Sequence, residues 1–159
     1  SLRRQRQMCI RDRATGSAWA PAGTVVQVVN ATYGLQKTSL TSTFVDTGLT
    51  ASITPTSASS KILVLVSQNG INKQNNNTGV TIKLFRDATE LALIGQNAAT
   101  TGTTTENGVG GASLCYSGSP ATTSSITYKT QFCSQANAAT AVIQHNACLS
   151  TITLMEIAA

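Results

Sequence analysis

Acid and base catalysis needs ionisable side chains gathered at one place. Beyond residue 13 this chain of 159 residues offers five carboxylates, Asp46, Asp87, Glu90, Glu106 and Glu156, and a single histidine, His145. The carboxylates are scattered and no two share a motif; Asp87 and Glu90 flank a predicted hairpin turn, where solvated roles suffice. A serine hydrolase would need a positioned base, and no serine stands in a G-x-S-x-G elbow. The expectation is a protein that is not an enzyme and that uses no cofactor.

Three cysteines lie in the same region, Cys115, Cys133 and Cys148. With His145 they make a formal Cys₃His zinc set, but only His145 and Cys148 are close in sequence and there is no C-x-x-C pair. An odd number leaves any disulfide framework incomplete, although one pair such as Cys115 with Cys133 remains open. Free thiols are the favoured reading and no metal site is expected. Gly108-Val109-Gly110-Gly111 lacks the lysine and strand-to-helix setting of a phosphate loop, so it reads as a hinge or turn. The sequons Asn30-Ala31-Thr32 and Asn76-Asn77-Thr78 follow from a composition rich in Asn and Thr and carry no inference of glycosylation.

Binding needs less than catalysis. Asn69, Asn72, Gln74, Asn75, Asn76 and Asn77 crowd one predicted loop with amide donors and acceptors, which makes them the candidate receptor-binding residues, with a glycan as the fitting ligand. The competing reading is a solvated turn, because Asn tolerates left-handed backbone and bonds to its own main chain. Tyr33, Tyr116 and Tyr128 could stack on a sugar, but Tyr128 alternates with Ile126 and Phe132 and reads as core.

The elements that would position these residues are short strands. Residues 25–29 (VVQVV) and 44–46 open the series, and 49–54 (LTASIT) places Leu49, Ala51 and Ile53 on one face. Residues 61–68 (KILVLVSQ) carry Ile62, Val64 and Val66 on one face and Leu63 and Leu65 on the other, which predicts a central strand covered on both faces. Residues 80–85 (VTIKLF) alternate, and Arg86-Asp87-Ala88-Thr89 predicts a turn into 90–94, with Ala88 where hairpins favour Gly. Residues 110–116, 125–133, 140–145 and 151–157 supply the remaining strands. Three loops are expected, at 69–79, 95–111 and 135–139. No amphipathic helix appears, so eight to ten strands predict an all-β, jelly-roll β-sandwich.

Composition agrees with a folded β protein: 41% of residues are hydrophobic, only 11% charged and 4% aromatic, with 25 Thr and 16 Ser. One domain's length of chain buries roughly two thirds of its unfolded surface. The longest aliphatic run, 62–66, is far short of the ~18 to 20 residues of a membrane span, so no membrane insertion is expected. The formal charge of +5 is mostly local: Arg3, Arg4, Arg6, Arg11 and Arg13 against Asp12 account for most of it. Written back into codons, residues 3–13 (RRQRQMCIRDR) resemble a transposase adapter used for sequencing libraries. Residues 1–13 are therefore read as an adapter-derived artefact rather than a nucleic-acid-binding arm. Residues 14–23, with Trp19, read as a linker, and 24–159 as the domain. The natural chain is expected to extend upstream, and the last strand to form an edge of the domain.

As an ordered set, GTVVQVVNATYG, FVDTGLTASITPTSASSKILVLVSQ, IKLFRDATEL, SPATTSSITYKTQF and STITLMEIAA resemble virion-associated proteins of tailed bacteriophages, particularly from marine samples, that form the distal part of tail fibres. The resemblance covers about residues 23–159. Such domains are similar to C1q and tumour-necrosis-factor heads, which implies about ten antiparallel strands with the first and last adjacent. It also implies a homotrimer burying apolar residues of one sheet about a three-fold axis. The implied function is a virion structural protein, the C-terminal head of a trimeric tail fibre, with a host surface glycan or protein as partner and other virion proteins reached through an upstream region. The alternative is a capsid decoration or fibre-trimerisation module with no receptor.

Overall fold

The computed structural model describes residues 21–159. The adapter-like segment 1–13, Cys9, residues 14–20 of the expected linker and Trp19 lie outside the described residues. Ten strands follow: β1 (Val25–Tyr33), β2 (Lys37–Ser39), β3 (Val45–Ile53), β4 (Lys61–Lys73), β5 (Thr78–Arg86), β6 (Thr89–Thr101), β7 (Asn107–Gly118), β8 (Ile126–Ser134), β9 (Ala141–Ile143) and β10 (Ser150–Ile157). A 3₁₀ turn at His145–Ala147 separates the last two.

The pairing is nested. β1 pairs with β10, β2 with β9, β3 with β8, β4 with β7 and β5 with β6, all antiparallel. The chain is thus one long hairpin closed at Asp87-Ala88. Cross-pairing of β10 and β9 with β4, and of β8 with β5, rolls that hairpin into two sheets. One runs β1-β10-β4-β7, with β9 and β2 continuing beside the far end of β4; the other runs β3-β8-β5-β6. This is the jelly-roll sandwich expected from the strand series, with first and last strands adjacent.

Alternation explains the layers. Ile62, Val64 and Val66 of β4, Ile152 and Leu154 of β10, Leu49, Ala51 and Ile53 of β3, and Tyr128 of β8 face inward as one core cluster. Ile71, Val80, Ile82, Phe132, Ala141 and Ile143 form a second. A buried polar chain links the two sheets: Thr47 and Thr130 hydroxyls lie 2.6 Å apart, Thr130 donates to Gln68 at 2.9 Å, and Gln68 donates to Ser150 at 3.0 Å. Each member has a partner, which removes most of the desolvation cost of burying it.

Five expectations change. β4 is central in its sheet, but Leu65 on its outer face is 37% exposed, because no second layer among the described residues lies over that side. The segments 44–46 and 49–54 form one strand, β3, whose register shifts across Thr47 and Gly48, where Gly48 takes φ +90° beneath the Tyr33 ring. The expected loop 69–79 shrinks to residues 74–77, and 95–111 to 102–106, because β4 and β7 stay paired from Ile62 with Gly118 out to Lys73 with Asn107 and β6 stays paired with β5 out to Thr101 with Thr78. Gly108 to Gly111 are therefore strand, not a hinge or turn. At Gly111 a side chain would collide with the Asn69 amide and the Gln68 carbonyl, so glycine there permits the pairing.

The hairpin at Asp87-Ala88 forms as expected. Asp87 takes the left-handed conformation, φ 52°, and accepts a hydrogen bond from the Thr127 amide at 3.0 Å through its carboxylate. Ala88 keeps a negative φ, so the turn makes no demand for Gly there.

Candidate binding site at one end of the sandwich

Residues 74–77, 102–106, 135–140 and 144–148 gather at one end of the sandwich. The organiser is Lys73, fully buried at the last position of β4. Its Nζ donates to three main-chain carbonyls, Asn75 at 3.1 Å, Thr101 at 3.0 Å and Thr104 at 2.6 Å. One ammonium thereby ties two loops together, each carbonyl using a charge-assisted bond.

The six amides expected to bind a receptor are divided. Asn69 and Asn72 belong to β4, not to a loop. Asn69 donates to the Leu149 carbonyl at 2.7 Å, and Asn75 accepts from the Thr140 amide at 2.6 Å. Those two side chains are engaged in holding neighbouring segments. Gln74, Asn76 and Asn77 are exposed, and Asn77 takes φ 53°, as Asn does readily at such turns.

Asn72 is 5% exposed and joins a polar cluster. Its Nδ2 donates to Glu106 at 3.2 Å and lies 3.1 Å from Nδ1 of His145. Nδ1 must then be the acceptor, which leaves the neutral ring's proton on Nε2. That Nε2 stands 3.9 Å from the Glu106 carboxylate. Asn72 Oδ1 is buried without a hydrogen-bond partner. Asn72 and His145 line a cavity of about 250 Å³ whose other walls include Gly108, Val109, Gly110 and Cys148. Sequence reading singled out Asn72 only for its amide and set His145 and Glu106 aside, since 73 and 34 residues separate them from it along the chain.

A larger groove, about 500 Å³, lies on the outer face of the second sheet between Phe44, Lys83, Glu90, Gln96 and Gln135. Lys83 fills part of it, with Nζ 4.6 Å from the Phe44 ring centre and 2.8 Å from Glu90.

The remaining ionisable groups serve the fold. Burial alone would push the Glu156 carboxyl up, but hydrogen bonds from Gln27, Ser60 and Thr56 outweigh it and hold it at about 2. Burial likewise works against ionised Asp46, yet Gln131 and Lys129 hold it below its ordinary value. Burial pushes the Tyr128 hydroxyl and the Cys133 thiol up. Cys115, Cys133 and Cys148 are free, and Cys115 and Cys133 belong to different sheets. Among the described residues no three His, Cys, Asp or Glu side chains converge as a metal site would require. No helix among them is long and apolar enough to cross a membrane.

The class defined by this architecture is a ten-stranded jelly-roll sandwich with a polar, loop-built end. No protein-family model matches the chain, and no curated protein matches it. Among solved structures it is similar to the VP2 subviral particle of infectious bursal disease virus, at 11% identity and a TM-score of 0.46, over 85% of this chain and 39% of that one. The chain thus spans well under half the length of that protein.

Proposed function

We propose that this domain is a virion structural protein of a tailed bacteriophage, the head of a homotrimeric tail fibre that meets the host surface through the loop end of the sandwich. The observation that carries the reading is the outer face of the β1-β10-β4-β7 sheet. Val28, Met155 and Leu63 stand side by side across three strands, and Leu65 beside Cys115 follows two residues along. Val28 is 55% exposed and nothing among the described residues covers this row. An uncharged, largely apolar stripe on an open sheet face, interrupted by Asn30 and Thr153 beside Leu65, is a surface that copies of one chain can bury in a closed assembly. Three such heads carry three loop ends on one side, and weak contacts gain avidity from being held together.

The ligand class in this reading is a host glycan or a polar protein surface, met by Gln74, Asn76 and Asn77 and by the cavity beside Asn72. No cofactor and no catalysis are part of it. The runner-up is a capsid decoration or fibre-trimerisation module without a receptor, favoured by the engagement of Asn69 and Asn75 inside the fold.

The test is the solution mass of a chain from Ala14 to Ala159 by light scattering coupled to size exclusion over a dilution series. A stable mass of three chains is expected. A persistent monomer removes the trimeric head. Binding of the assembled domain to candidate host cells then separates the two readings, with the triple change Asn75→Ala, Asn76→Ala, Asn77→Ala probing the loop tip.

A further inference from the structure

We infer that the groove across the outer face of the β3-β8-β5-β6 sheet is a second binding site, shaped for a segment of uncharged polysaccharide. It goes beyond the loop-end reading and does not depend on it. The apolar stripe belongs to the other sheet, so an assembly that buries the stripe leaves this groove open.

Bulges build one wall. β6 is the edge strand and sets 13 residues against the nine of β5, with four register shifts along the pair. With Ile82 and Leu84 in the core, the outward residues of β5 are Thr81, Lys83 and Phe85. Glu90 stands opposite Phe85 and Leu93 opposite Lys83, three residues apart rather than two, because an inserted residue turns the strand between them. Strict alternation would have put Glu90 and Leu93 on opposite faces. Gln96 follows at the same interval beyond the next shift, and it lines the groove together with Asn97.

The lining sets the ligand class. The groove runs from β6 over β5 and β8 to Ser42 and Phe44 ahead of β3, and it holds about 500 Å³, within the ~300 to 1,000 Å³ of organic-ligand sites. At ~4.8 Å per strand its span is roughly 14 Å, room for more than one sugar ring. Apolar surface comes from Leu93, 45% exposed, and from Phe44, whose ring is braced by Phe85 at 6.4 Å. Amides come from Gln96, Asn97 and Gln135, all exposed. The Gln135 Oε1 accepts from Thr100 at 3.3 Å, which leaves its NH₂ group as a donor. A ring with C–H faces and a rim of hydroxyls complements such a mixed surface.

Charge narrows the class further. Lys83 and Glu90 are the only ionised side chains among the residues that line the groove, and they neutralise each other at 2.8 Å. The Phe44 ring, 4.6 Å from the ammonium, helps to hold it in place. Both side chains stay within reach of solvent, 23% and 49% exposed. Lys83 donates to Glu90 through Oε2, and Oε1 has no partner among the described residues. An N–H beside a free carboxylate oxygen matches the acceptor and the donor of neighbouring hydroxyls. A carboxylated sugar instead meets Glu90 and gains Lys83 only by breaking the pair.

The test is a titration of the full chain with cellotriose, maltotriose and mannotriose, each alone, and with trigalacturonate as the charged counterpart, followed by backbone amide chemical shifts. At least one neutral trisaccharide is expected to move the amides of Thr81, Lys83, Leu93, Gln96 and Gln135 with millimolar affinity, and trigalacturonate is expected not to. Leu93→Ala and Gln96→Ala, at exposed positions and each checked for an unchanged melting temperature, should weaken binding roughly fivefold or more, whereas Lys37→Ala, at an exposed position of β2, leaves it unchanged. Glu90→Gln should weaken the neutral sugar and admit trigalacturonate, because Lys83 is then unpaired; a merely structural Glu90 would not exchange one preference for the other. The inference is overturned if no neutral trisaccharide moves these amides at tens of millimolar, if binding survives both alanine variants, if the shifts centre on residues 74–77, or if a Val-Thr hexapeptide moves the β6 amides and the sugars do not. Sugar binding by a persistent monomer keeps the groove and removes only the trimeric head.

Discussion

The ammonium of Lys73 lies 2.6 Å from the carbonyl oxygen of Thr104, in a buried position where its other two partners are also main-chain carbonyls. Replacing this cation by an apolar side chain of like length takes a charge-assisted bond from all three carbonyls and leaves that of Asn75 unpaired, while Thr101 still accepts from the Asn77 amide and Thr104 from the Thr101 hydroxyl. Lys73→Met is therefore expected to lower stability by about 2 kcal/mol in chemical denaturation. Amides of residues 74–77 and 101–104 should exchange faster by more than the global loss accounts for. Uniform acceleration across the molecule would show that Lys73 supports the whole fold rather than the two loops.

Glu156 predicts the acid limb of stability. Its folded value of about 2 is depressed from the ordinary 4.5, so its contribution is fully present above pH 4.5 and is lost as pH falls toward 2. The melting temperature should fall across that window. Glu156→Gln should already be less stable at pH 7, because an amide in place of the carboxylate brings a second donor against Gln27, whose Nε2 sits 2.6 Å from Oε2. The variant should also show a shallower loss between pH 4.5 and 2; an unchanged slope would assign the acid limb to Asp46, whose value is lowered too.

Gly48 and Tyr33 predict a severe steric variant. A methyl group on Gly48 falls inside the Tyr33 ring, and φ of +90° is itself unfavourable for any side chain. Gly48→Ala should cost more than about 3 kcal/mol. Adding Tyr33→Ala removes the collision and leaves the backbone strain, so the double variant should be more stable than the sum of the single losses. Strict additivity in a double-mutant cycle would contradict this packing.

What the sequence reveals and what it hides divide along the range of the interactions. Alternation at Ile62, Val64 and Val66, or at Leu49, Ala51 and Ile53, is a local signal, and those residues share one face as expected and are core. The Asn-rich end of β4 and the Gly-rich start of β7 read as loops because neither has strand composition. Each becomes a strand through pairing with the other, some forty residues apart along the chain. The same holds at the site: Asn72, Glu106 and His145 lie on three separate segments, and only the rolled hairpin brings them within hydrogen-bonding range. Conversely, Leu63 and Leu65 promised cover on both faces of β4, and among the described residues the outer face has none, because alternation in one strand does not reveal which layers the fold will stack on it.

That outer face can be read chemically through Cys115, the cross-strand partner of Leu65. Cys115 and Cys148 are exposed in the single chain, while Cys133 is buried and its thiol is pushed up, so its reactive thiolate is scarce. In a chain from Ala14 to Ala159, maleimide should label Cys148 quickly and Cys133 slowly under any reading. Cys115 discriminates. If three copies bury the stripe, Cys115 is slow at concentrations where the trimer persists and becomes fast on dilution or in Leu65→Lys, whose charge cannot be buried without a partner. Rapid labelling of Cys115 at every concentration, with no effect of Leu65→Lys on mass, would leave the stripe open to solvent and move the assembly surface elsewhere on the molecule.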